Sequence, residues 1–392
     1  MSFIATNDVS IASPRALVCA QVPYARTHPF ITMLFELASY LTDPICKAHE
    51  CYRSFQVLPP NSPLTTKISL CIRGFGWTFL STITSLPAIA LRFLGASVQR
   101  EPFINVQGSA APKTLPSGRQ FSLLSWNICC VGGGYSITDG GVVPWTLRMD
   151  NIIAKIIQQD ADVNCLYETF DTKSAFYIAE KLKQHGYAHI YFNIGPKTIG
   201  VSSGILIASK YCIQNPQFTP FPLHSLVGRT KNAAKGVFEF DLTSHNKPFA
   251  RIYSTHLQHS EEPQFPTSEE KLARQKQMQI ILQKISSIKD RCIVVTGDLN
   301  LDDEEYDNSS WQRFFTKKNL FSCKKTWGGD QFCAQLMGKK ISSPLNLDHT
   351  MIVNHTARSI LTSLVEVGYN AAVFTKTALS DHNAIFSLIE VH

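Results

Sequence analysis

From about residue 120 onward, short apolar runs alternate with stretches in which apolar residues recur at helical spacing. Strand-like runs occupy residues 121–128, 163–167, 204–208, 236–242, 250–256, 292–296, 347–353 and 384–391. Helical spacing is found at residues 148–159 and 271–285. Strands that alternate with helices predict an α/β fold with a partly parallel sheet, and strand pairs without a helix between them predict mixed sheets.

Two apolar stretches precede this region. Residues 31–42 form a short stretch that contains one glutamate, and residues 74–91 form an uncharged stretch bracketed by Arg73 and Arg92. The second stretch has about the minimum length of a membrane-spanning helix, and Pro87 is expected to kink it. The flanking arginines favour a segment in or near an anionic membrane interface. A pair of helices packed on the rest of the protein fits the pattern equally well.

The chain therefore divides into three parts. Residues 1–99 are expected to form a helical, membrane-associating region, and residues 120–392 a catalytic domain. Residues 100–119, with three prolines and two glycines, have the composition of a linker. The first thirty residues lack the charged start and apolar core of a cleavable signal peptide. We expect an intracellular protein that associates with membranes through its N-terminal region.

Composition and charge narrow the function classes. With 44% apolar and 17% charged residues, the chain is able to form a large core. Of the net charge of +7, +5 lies before residue 120, where ten Lys and Arg face five Asp and Glu, so +2 remains for the catalytic region. A nearly neutral catalytic region makes nucleic acid a less favoured partner. The eleven scattered cysteines match no zinc or redox pattern and are expected to be reduced.

Polar residues cluster where the predicted strands end or begin, which is where loops display functional groups. These residues lie in the segments Ser125-Trp126-Asn127-Ile128, Leu166-Tyr167-Glu168, Thr255-His256-Leu257-Gln258, Gly297-Asp298-Leu299-Asn300 and Ser380-Asp381-His382-Asn383. Hydrolysis of a phosphate ester requires charge neutralisation, deprotonation of a water and protonation of a leaving oxygen. Carboxylate and amide oxygens suit Mg²⁺, with Mn²⁺ as a substitute, and the lack of a thiolate or imidazole cluster makes zinc a poorer choice.

In this order and at these separations, the five motifs resemble those of the endonuclease/exonuclease/phosphatase superfamily, which has the deoxyribonuclease I fold. The resemblance covers residues 120–392 and leaves the helical, apolar N-terminal extension outside it. It implies a four-layer sandwich in which two mixed β-sheets are flanked by helices. It also implies that Glu168 is the main metal ligand, with Asn127 and Asp381 in support.

The resemblance implies acid–base roles as well. His382 is similar to the family's general base, and Asp348 to the aspartate that orients this histidine and stabilises its protonated form. Asp298 and Asn300 are expected to orient water and stabilise charge in the transition state. His256 is expected to bind a phosphate oxygen or protonate the leaving group.

Three positions depart from the usual family pattern. Tyr167 stands where glutamine is common, His349 follows the orienting Asp348 where tyrosine or arginine is frequent, and Cys212 replaces a proline. None of these departures removes a proposed catalytic group, so an active enzyme is expected.

Finer features resemble the neutral sphingomyelinase branch of the superfamily. They are the stretch at residues 200–213, Lys235 as a substrate-binding residue, the segment at residues 255–258, and Trp327. The same residues have a purely structural interpretation, with Gly204 for close packing, Lys235 as a solvated charge and Trp327 as core. Together with the apolar N-terminal region, they favour hydrolysis of a phospholipid or sphingolipid head group at a membrane surface.

Three alternatives remain open at this point. They are a nuclease of the same fold, an inositol-phosphate phosphatase, and an inactive, membrane-anchored interaction protein. No protein partner is inferable from the sequence.

Overall fold

The structure is a computed structural model. It describes residues 26–56, 58, 60–131, 145–197, 201–286, 288, 290–317, 324–328, 344–366, 369–370 and 377–392. The helices are α1 (Pro29–Gln56), α2 (Leu64–Val98), α3 (Met149–Gln159), α4 (Thr172–Gln184), α5 (Ser268–Ile285) and α6 (Asp303–Asp307). The strands are β1 (Ile104–Gln107), β2 (Gln120–Cys130), β3 (Val163–Thr169), β4 (His189–Phe192), β5 (Leu206–Ser209), β6 (Cys212–Pro220), β7 (Gly236–Ser244), β8 (Lys247–His256), β9 (Cys292–Asp298), β10 (Phe315–Thr316), β11 (Asp348–Val353), β12 (Ser359–Val365), β13 (Tyr369–Asn370), β14 (Thr377–Ala378) and β15 (Ala384–Glu390). Residues 1–25, on which most of the signal-peptide expectation rests, lie outside the described residues, as does Gly200.

The strands form two mixed sheets within the described residues. The first sheet has the order β1-β4-β5-β3-β2-β15-β12, and the second has the order β10-β11-β9-β8-β7-β6. One neighbouring pair in each sheet is parallel, β2 with β3 and β8 with β9. Each of these parallel pairs is connected through a helix, α3 or α5, as a parallel connection requires. Polar residues at or near the carboxyl ends of these four strands meet at one end of the molecule, where Asn127 contacts Asp298 and Glu168 lies near His256.

Four layers follow from how the elements bury their apolar faces. A core of buried side chains, including Leu123, Val163, Phe238 and Val294, fills the space between the two sheets. Helices α3 and α4 cover the outer face of the first sheet, and α5 covers the outer face of the second. The predicted sandwich of two mixed sheets flanked by helices is confirmed.

The segment with a linker composition contributes a strand. Residues of β1 pair antiparallel with β4, from Ile104 opposite Phe192 to Gln107 opposite His189. Phe103 is buried, and its ring packs edge-on against Tyr191, with the ring centroids 5.3 Å apart. A four-residue strand between prolines and glycines carries too little alternation to be detected in the sequence, and the neighbouring sheet edge determines its conformation. The sheet thus begins before residue 120.

Helix α1 packs on the sandwich through its own polar and apolar residues. Phe35 is 2% exposed and belongs to the core cluster that covers the first sheet. Asp43 of α1 forms an ion pair with Lys173 of α4, with the charged atoms 3.0 Å apart. Just before α1, Thr27 exchanges backbone and side-chain hydrogen bonds with Asn105 of β1. Of the two interpretations of the N-terminal apolar stretches, packing on the rest of the protein is therefore the one that applies to α1.

Helix α2 packs on α1 with small residues and displays large apolar residues outward. Gly74, Ser81, Ala88 and Gly95 recur every seven residues. Ser81, Ala88 and Gly95 are buried, and a Cβ on Gly74 or Gly95 would meet α1 at 3.4 Å and 3.1 Å, respectively. The opposite surface carries exposed side chains, among them Ile72, Phe75, Phe79, Leu86 and Phe93. Close helix contact through small residues, with large apolar residues facing outward, is the arrangement found in membrane helix pairs.

The helix is also long and apolar enough to cross a membrane. Its most apolar 18-residue window has a mean hydropathy of 1.4, and 17% of that window is buried. The 35-residue helix continues through Pro87. Arg73 is exposed on this helix, whereas Arg92 donates from Nε to the backbone oxygen of Lys197, 3.2 Å away. One of the two arginines that bracket residues 74–91 therefore contacts the rest of the protein.

The described cysteines are free, with one exception. Free thiols are found at Cys46, Cys51, Cys71, Cys129, Cys130, Cys165 and Cys292. Cys212 is disulfide-bonded, so the expectation of reduced thiols fails at this position.

Candidate active site

The motif residues converge on the carboxylate of Asp298, which ends β9. Its Oδ2 atom accepts a hydrogen bond from Nδ2 of Asn127, 3.0 Å away. The same oxygen lies 3.6 Å from Nε2 of His256 and 3.7 Å from Nε2 of His382. Since these residues come from three separate strand ends and one loop, the clustering arises from the tertiary fold.

Gly297 allows this close approach. It lies on β9 opposite Thr255 of the parallel strand β8, and a Cβ at this position would lie 1.8 Å from the backbone oxygen of Thr255. A side chain here would therefore force β9 away from β8 and displace Asp298 from His256. The glycine of the Gly-Asp-Leu-Asn segment is thus required by strand packing.

Glu168 is held at the end of β3 with a positive φ of 61°, a conformation that costs free energy for a residue other than glycine. Its Oε1 atom lies 3.9 Å from Nε2 of His256, and its side chain remains 22% exposed. Burial raises the pKa of Glu168 to about 7, and the carboxylates of Asp381 and Asp298 add to this rise. The carboxylates of Glu168, Asp381 and Asp298 therefore repel one another, and a bound cation would offset this repulsion.

His382 and Asp348 form a hydrogen-bonded pair. Nδ1 of His382 lies 2.7 Å from Oδ2 of Asp348, so Nε2 faces Asp298. Burial alone would lower the pKa of His382, but the carboxylates of Asp348, Asp298 and Asp381 outweigh burial and raise it well above its ordinary value. Asp348 is itself held by its backbone N–H, which donates to Oγ1 of Thr326 over 3.1 Å. This pair has the geometry of a proton acceptor oriented by a carboxylate.

His256 is in a different electrostatic state. Neither of its ring nitrogens has a hydrogen-bond partner among the described residues. Burial lowers its pKa well below the ordinary value, and the positive charge of Lys235 acts in the same direction. The imidazole is therefore neutral, with one N–H available to donate to an entering oxygen.

Lys235 is buried beside the carboxylates and is not a solvated charge. Only 4% of the residue is exposed, and its Nζ donates to the backbone oxygen of Leu257 over 3.2 Å. Burial lowers its pKa to about 7, although Glu168 and Asp298 act in the opposite direction. Asn300, with a φ of 52°, donates its backbone N–H to Asp298 at 3.0 Å. Both predicted residues therefore lie in the cluster.

The two remaining predicted metal ligands are placed differently. Oδ1 of Asn127 accepts the backbone N–H of Cys129 at 3.0 Å, so the amide oxygen already has one donor. Asp381 is 6% exposed, and its Oδ1 accepts a hydrogen bond from Oγ of Ser380 over 3.3 Å. Ser380 also donates to the backbone oxygen of Asn127 at 2.6 Å. The structure therefore joins both residues to the cluster through Asp298 and Ser380.

Among the described residues, two overlapping groups have ligand atoms within 4.8 Å of one another. One group is Glu168, His256 and Asp298, and the other is Asp298, Asp348 and His382. The oxygen-rich first group and the elevated pKa of Glu168 fit a hard divalent cation such as Mg²⁺. His256 and Asp298 had not been predicted as ligands from the sequence.

Two departures from the family pattern have structural roles. The hydroxyl of Tyr167 lies between the sheets, 2.9 Å from Oγ of Ser254, and donates to the backbone oxygen of Thr296 over 3.1 Å. Nε2 of His349 lies 2.7 Å from the backbone oxygen of Leu301, and its ring stacks on Tyr306. Neither residue reaches the carboxylate cluster. The substitutions therefore leave the catalytic groups in place.

Sequence reasoning missed two residues that hold the cluster together. Ser380, within the quoted Ser-Asp-His-Asn segment, bonds Asn127 and Asp381. Thr326, which directly precedes Trp327, accepts hydrogen bonds at Oγ1 from the backbone N–H groups of Leu347 and Asp348. The structural interpretation holds for Gly204, whose φ is 75° and whose added Cβ would lie 2.7 Å from Phe170, and for Trp327, which is buried.

Comparison with known proteins now identifies the family. A model of the endonuclease/exonuclease/phosphatase family matches residues 124–382. This chain belongs to that family. None of the curated proteins matches the chain.

Several solved structures share the fold of this family member. SmcL has 20% sequence identity and a TM-score of 0.58, with 69% of this chain and 99% of SmcL covered. A Staphylococcus aureus beta toxin mutant with bound magnesium ions has 19% identity and a TM-score of 0.55, covering 68% and 99%. Sphingomyelinase C from Streptomyces griseocarneus has 17% identity and a TM-score of 0.53, covering 68% and 98%. TDP2 from Caenorhabditis elegans matches with 18% identity and a TM-score of 0.51, covering 69% and 74%. At these identities the similarity shows the fold.

Proposed function

We propose that this chain is a Mg²⁺-dependent phosphodiesterase that hydrolyses a phospholipid head group, as a sphingomyelinase or phospholipase C does. The observation that carries the proposal is the convergence of Asn127, His256 and His382 within 3.7 Å of one carboxylate oxygen of Asp298. These side chains combine an oxygen-rich cation site with a carboxylate-oriented imidazole and a neutral imidazole. That combination serves phosphate-ester hydrolysis.

Each residue has a role that its surroundings support. Glu168, with Asn127 and Asp381, would hold Mg²⁺ or Mn²⁺, which neutralises charge on the phosphoryl group when bound. A cation bound among the carboxylates would offset the charge that raises the pKa of His382. Nε2 of the neutral His382 would then accept a proton from the attacking water, while Asp348 fixes the imidazole tautomer. Positioned side chains of this kind lower the barrier because their geometry exists before the substrate arrives.

The other residues would act on the phosphate itself. Asp298 and Asn300 would orient the attacking water and stabilise charge in the transition state. The neutral His256 would donate its N–H to a phosphate oxygen or to the leaving oxygen. Lys235, buried beside Glu168, would contact the negatively charged substrate. On sphingomyelin the reaction would release ceramide and phosphocholine.

The lipid assignment is supported by the N-terminal helices. Large apolar side chains face outward along α2, and burying such side chains in a bilayer is favourable. Attachment to the surface raises the effective concentration of a membrane substrate. A catalytic region with a net charge of +2 offers little attraction for a polyanion such as DNA.

The test is to assay the full-length protein with Mg²⁺ against detergent-dispersed sphingomyelin, phosphoinositides and plasmid DNA in parallel. We expect head-group release from sphingomyelin, loss of activity in EDTA and its return with Mg²⁺ or Mn²⁺. Glu168→Gln should remove most activity with an unchanged circular dichroism spectrum, because the substitution deletes charge at a cation site.

The other outcomes assign the alternatives. Cleavage of DNA without lipid hydrolysis would move the protein to the nucleases, and release of inorganic phosphate from phosphoinositides would move it to the inositol-phosphate phosphatases. Full activity in EDTA would reject the metal dependence. Lack of hydrolysis of every substrate, with a folded protein and added metal, would favour an inactive interaction protein.

A further inference from the structure

Arg148 is placed where elementary physical chemistry disfavours an arginine. It lies at the N-cap of α3, makes no side-chain capping hydrogen bond, and is 1% exposed. A positive charge at a helix N-terminus is unfavourable because the backbone N–H groups already carry positive partial charge there. Burial of a guanidinium adds a desolvation cost. The interactions of this side chain must therefore compensate both costs.

The guanidinium donates to backbone carbonyls of two separate segments. Its Nη1 atom donates to the oxygen of Ile128 over 2.7 Å and also to the oxygen of Leu379, and its Nη2 atom donates to the oxygen of Cys129. Ile128 and Cys129 directly follow Asn127 in β2. Leu379 lies two residues before Asp381. One side chain thus joins the chain segments that carry two proposed metal ligands.

The second of these segments is not held by regular secondary structure. Residues 379–383 contain no helix and no strand other than an isolated bridge at His382. Three hydrogen bonds are among the contacts that hold this segment. The hydroxyl of Ser380 donates to the backbone oxygen of Asn127, and the indole N–H of Trp126 donates to the backbone oxygen of His382. The third is the bond from Arg148 to the backbone oxygen of Leu379. Cys129, on the other segment, has a φ of 48° and therefore also depends on its partners to keep its conformation.

We propose that Arg148 is a positioning residue that sets the distance between Asn127 and Asp381 and so prepares the metal site. This inference rests on the proposed metal-dependent function. A guanidinium suits the task because it is planar and presents several donors in fixed directions. A lysine retains the charge but has one compact ammonium that cannot reach three carbonyls in the same geometry. The position should thus depend on the shape of arginine as well as its charge.

The experiment compares Arg148→Lys and Arg148→Met with the wild-type full-length protein. The first measurement is Mn²⁺ affinity by electron paramagnetic resonance, and the second is hydrogen exchange of residues 377–384 in metal-free protein. We expect both variants to bind Mn²⁺ about 10- to 100-fold more weakly, the range typical for residues that support metal ligands. We also expect faster exchange in this segment, because the Arg148 bond to Leu379 is lost.

The matched control is Ile156→Ala on the same helix. Ile156 is 0% exposed, so the variant creates a cavity and destabilises the packing of α3 without touching the three carbonyls. The control should retain wild-type Mn²⁺ affinity and wild-type exchange at residues 377–384. If Arg148→Met does not fold, the comparison of Arg148→Lys with Ile156→Ala is decisive.

The outcomes separate the inference from the function on which it rests. Wild-type Mn²⁺ affinity in Arg148→Lys, or faster exchange spread evenly over the whole chain, would overturn the positioning role. Wild-type protein that does not bind Mn²⁺ would reject the metal-dependent function instead. The exchange comparison in metal-free protein would still decide whether Arg148 holds the 379–383 segment.

Discussion

The sandwich and the N-terminal helix pair differ in which side chains they bury. In the sandwich, large apolar residues such as Trp126 and Phe238 are buried. In the helix pair, α2 buries Ser81, Ala88 and Gly95 and exposes large apolar residues along its outer surface. The sandwich follows the rule for proteins folded in water, whereas α2 follows the rule for helices in lipid.

Under the proposed function, this difference corresponds to two tasks within one chain, catalysis and membrane attachment. The sandwich holds the titratable groups of the candidate site at one end. The helix pair contributes none of these groups and instead presents an apolar surface. Helix α1 joins the two parts, because Phe35 enters the core that covers the first sheet and Asp43 pairs with Lys173. If the tasks are separate, substitutions in one part should affect chemistry and those in the other should affect attachment.

The largest effect is expected from His382→Ala. Loss of a positioned proton acceptor should lower kcat by about two to four orders of magnitude on both detergent-dispersed and vesicle substrate. Flotation of the protein with liposomes should remain unchanged, because the residue is remote from the helix surface. A near-wild-type kcat would show that another group accepts the proton from water.

An intermediate effect is expected from Leu86→Lys on the outer surface of α2. Leu86 is 75% exposed, so the substitution should leave the isolated protein stable. Burying a leucine in an apolar medium contributes about 1.5–3 kcal/mol, so its loss should weaken vesicle binding about ten- to a hundredfold. The rate on vesicles should fall with binding, and the rate on detergent-dispersed substrate should stay constant.

Leu361→Lys is the control for that experiment. Leu361 is 40% exposed on β12, which is the edge strand of the first sheet opposite to β1. Its substitution should leave liposome flotation at the wild-type level. Equal flotation of the Leu86 variant and wild type would remove the membrane role from this surface of α2.

The smallest effect is expected within the helix pair itself. In Gly95→Leu the new side chain would meet the ring of Phe35, which already lies 3.1 Å from an added Cβ. Overpacking of this kind should lower the free energy of unfolding by about 1–3 kcal/mol, measured by urea titration in detergent. Gly76→Leu serves as the control, because an added Cβ there has no atom within 4 Å. If both variants unfold alike, the small-residue contact does not stabilise the pair.

The sequence predicted the principal elements because their apolar spacing is strong. The predicted helix at residues 148–159 became α3 with a shift of one residue, and the strand at residues 292–296 became the start of β9. Short or edge strands were missed, including β1 and β4, whose four residues are too few to establish a pattern, and the 13-residue helix α4 was missed as well. Such strands form because a neighbouring edge offers hydrogen bonds, and this edge is invisible in the local sequence.

The site shows the same division between residue identity and placement. Asp298 and His382 were identified from their motifs, but the contact between them depends on the meeting of β9 with the loop before β15. Lys235 was compatible with a solvated charge until the structure placed it in the protein interior. Arg148 was noted only as the start of a helical pattern. The acceptors that the described structure gives it are backbone carbonyls, and since every residue has a backbone carbonyl, the sequence carries no mark of these contacts.

The sequence by itself determined the α/β class, the family, the chemical types of the site residues, and the uncharged stretch between Arg73 and Arg92. These properties depend on residue identity and on spacing along the chain, both of which are local. Only the tertiary structure decided that β1 belongs to the sheet, that Arg148 joins the two ligand-bearing segments, and that the small residues of α2 face α1. These properties depend on contacts between residues far apart in the chain, where burial and hydrogen bonding select one arrangement.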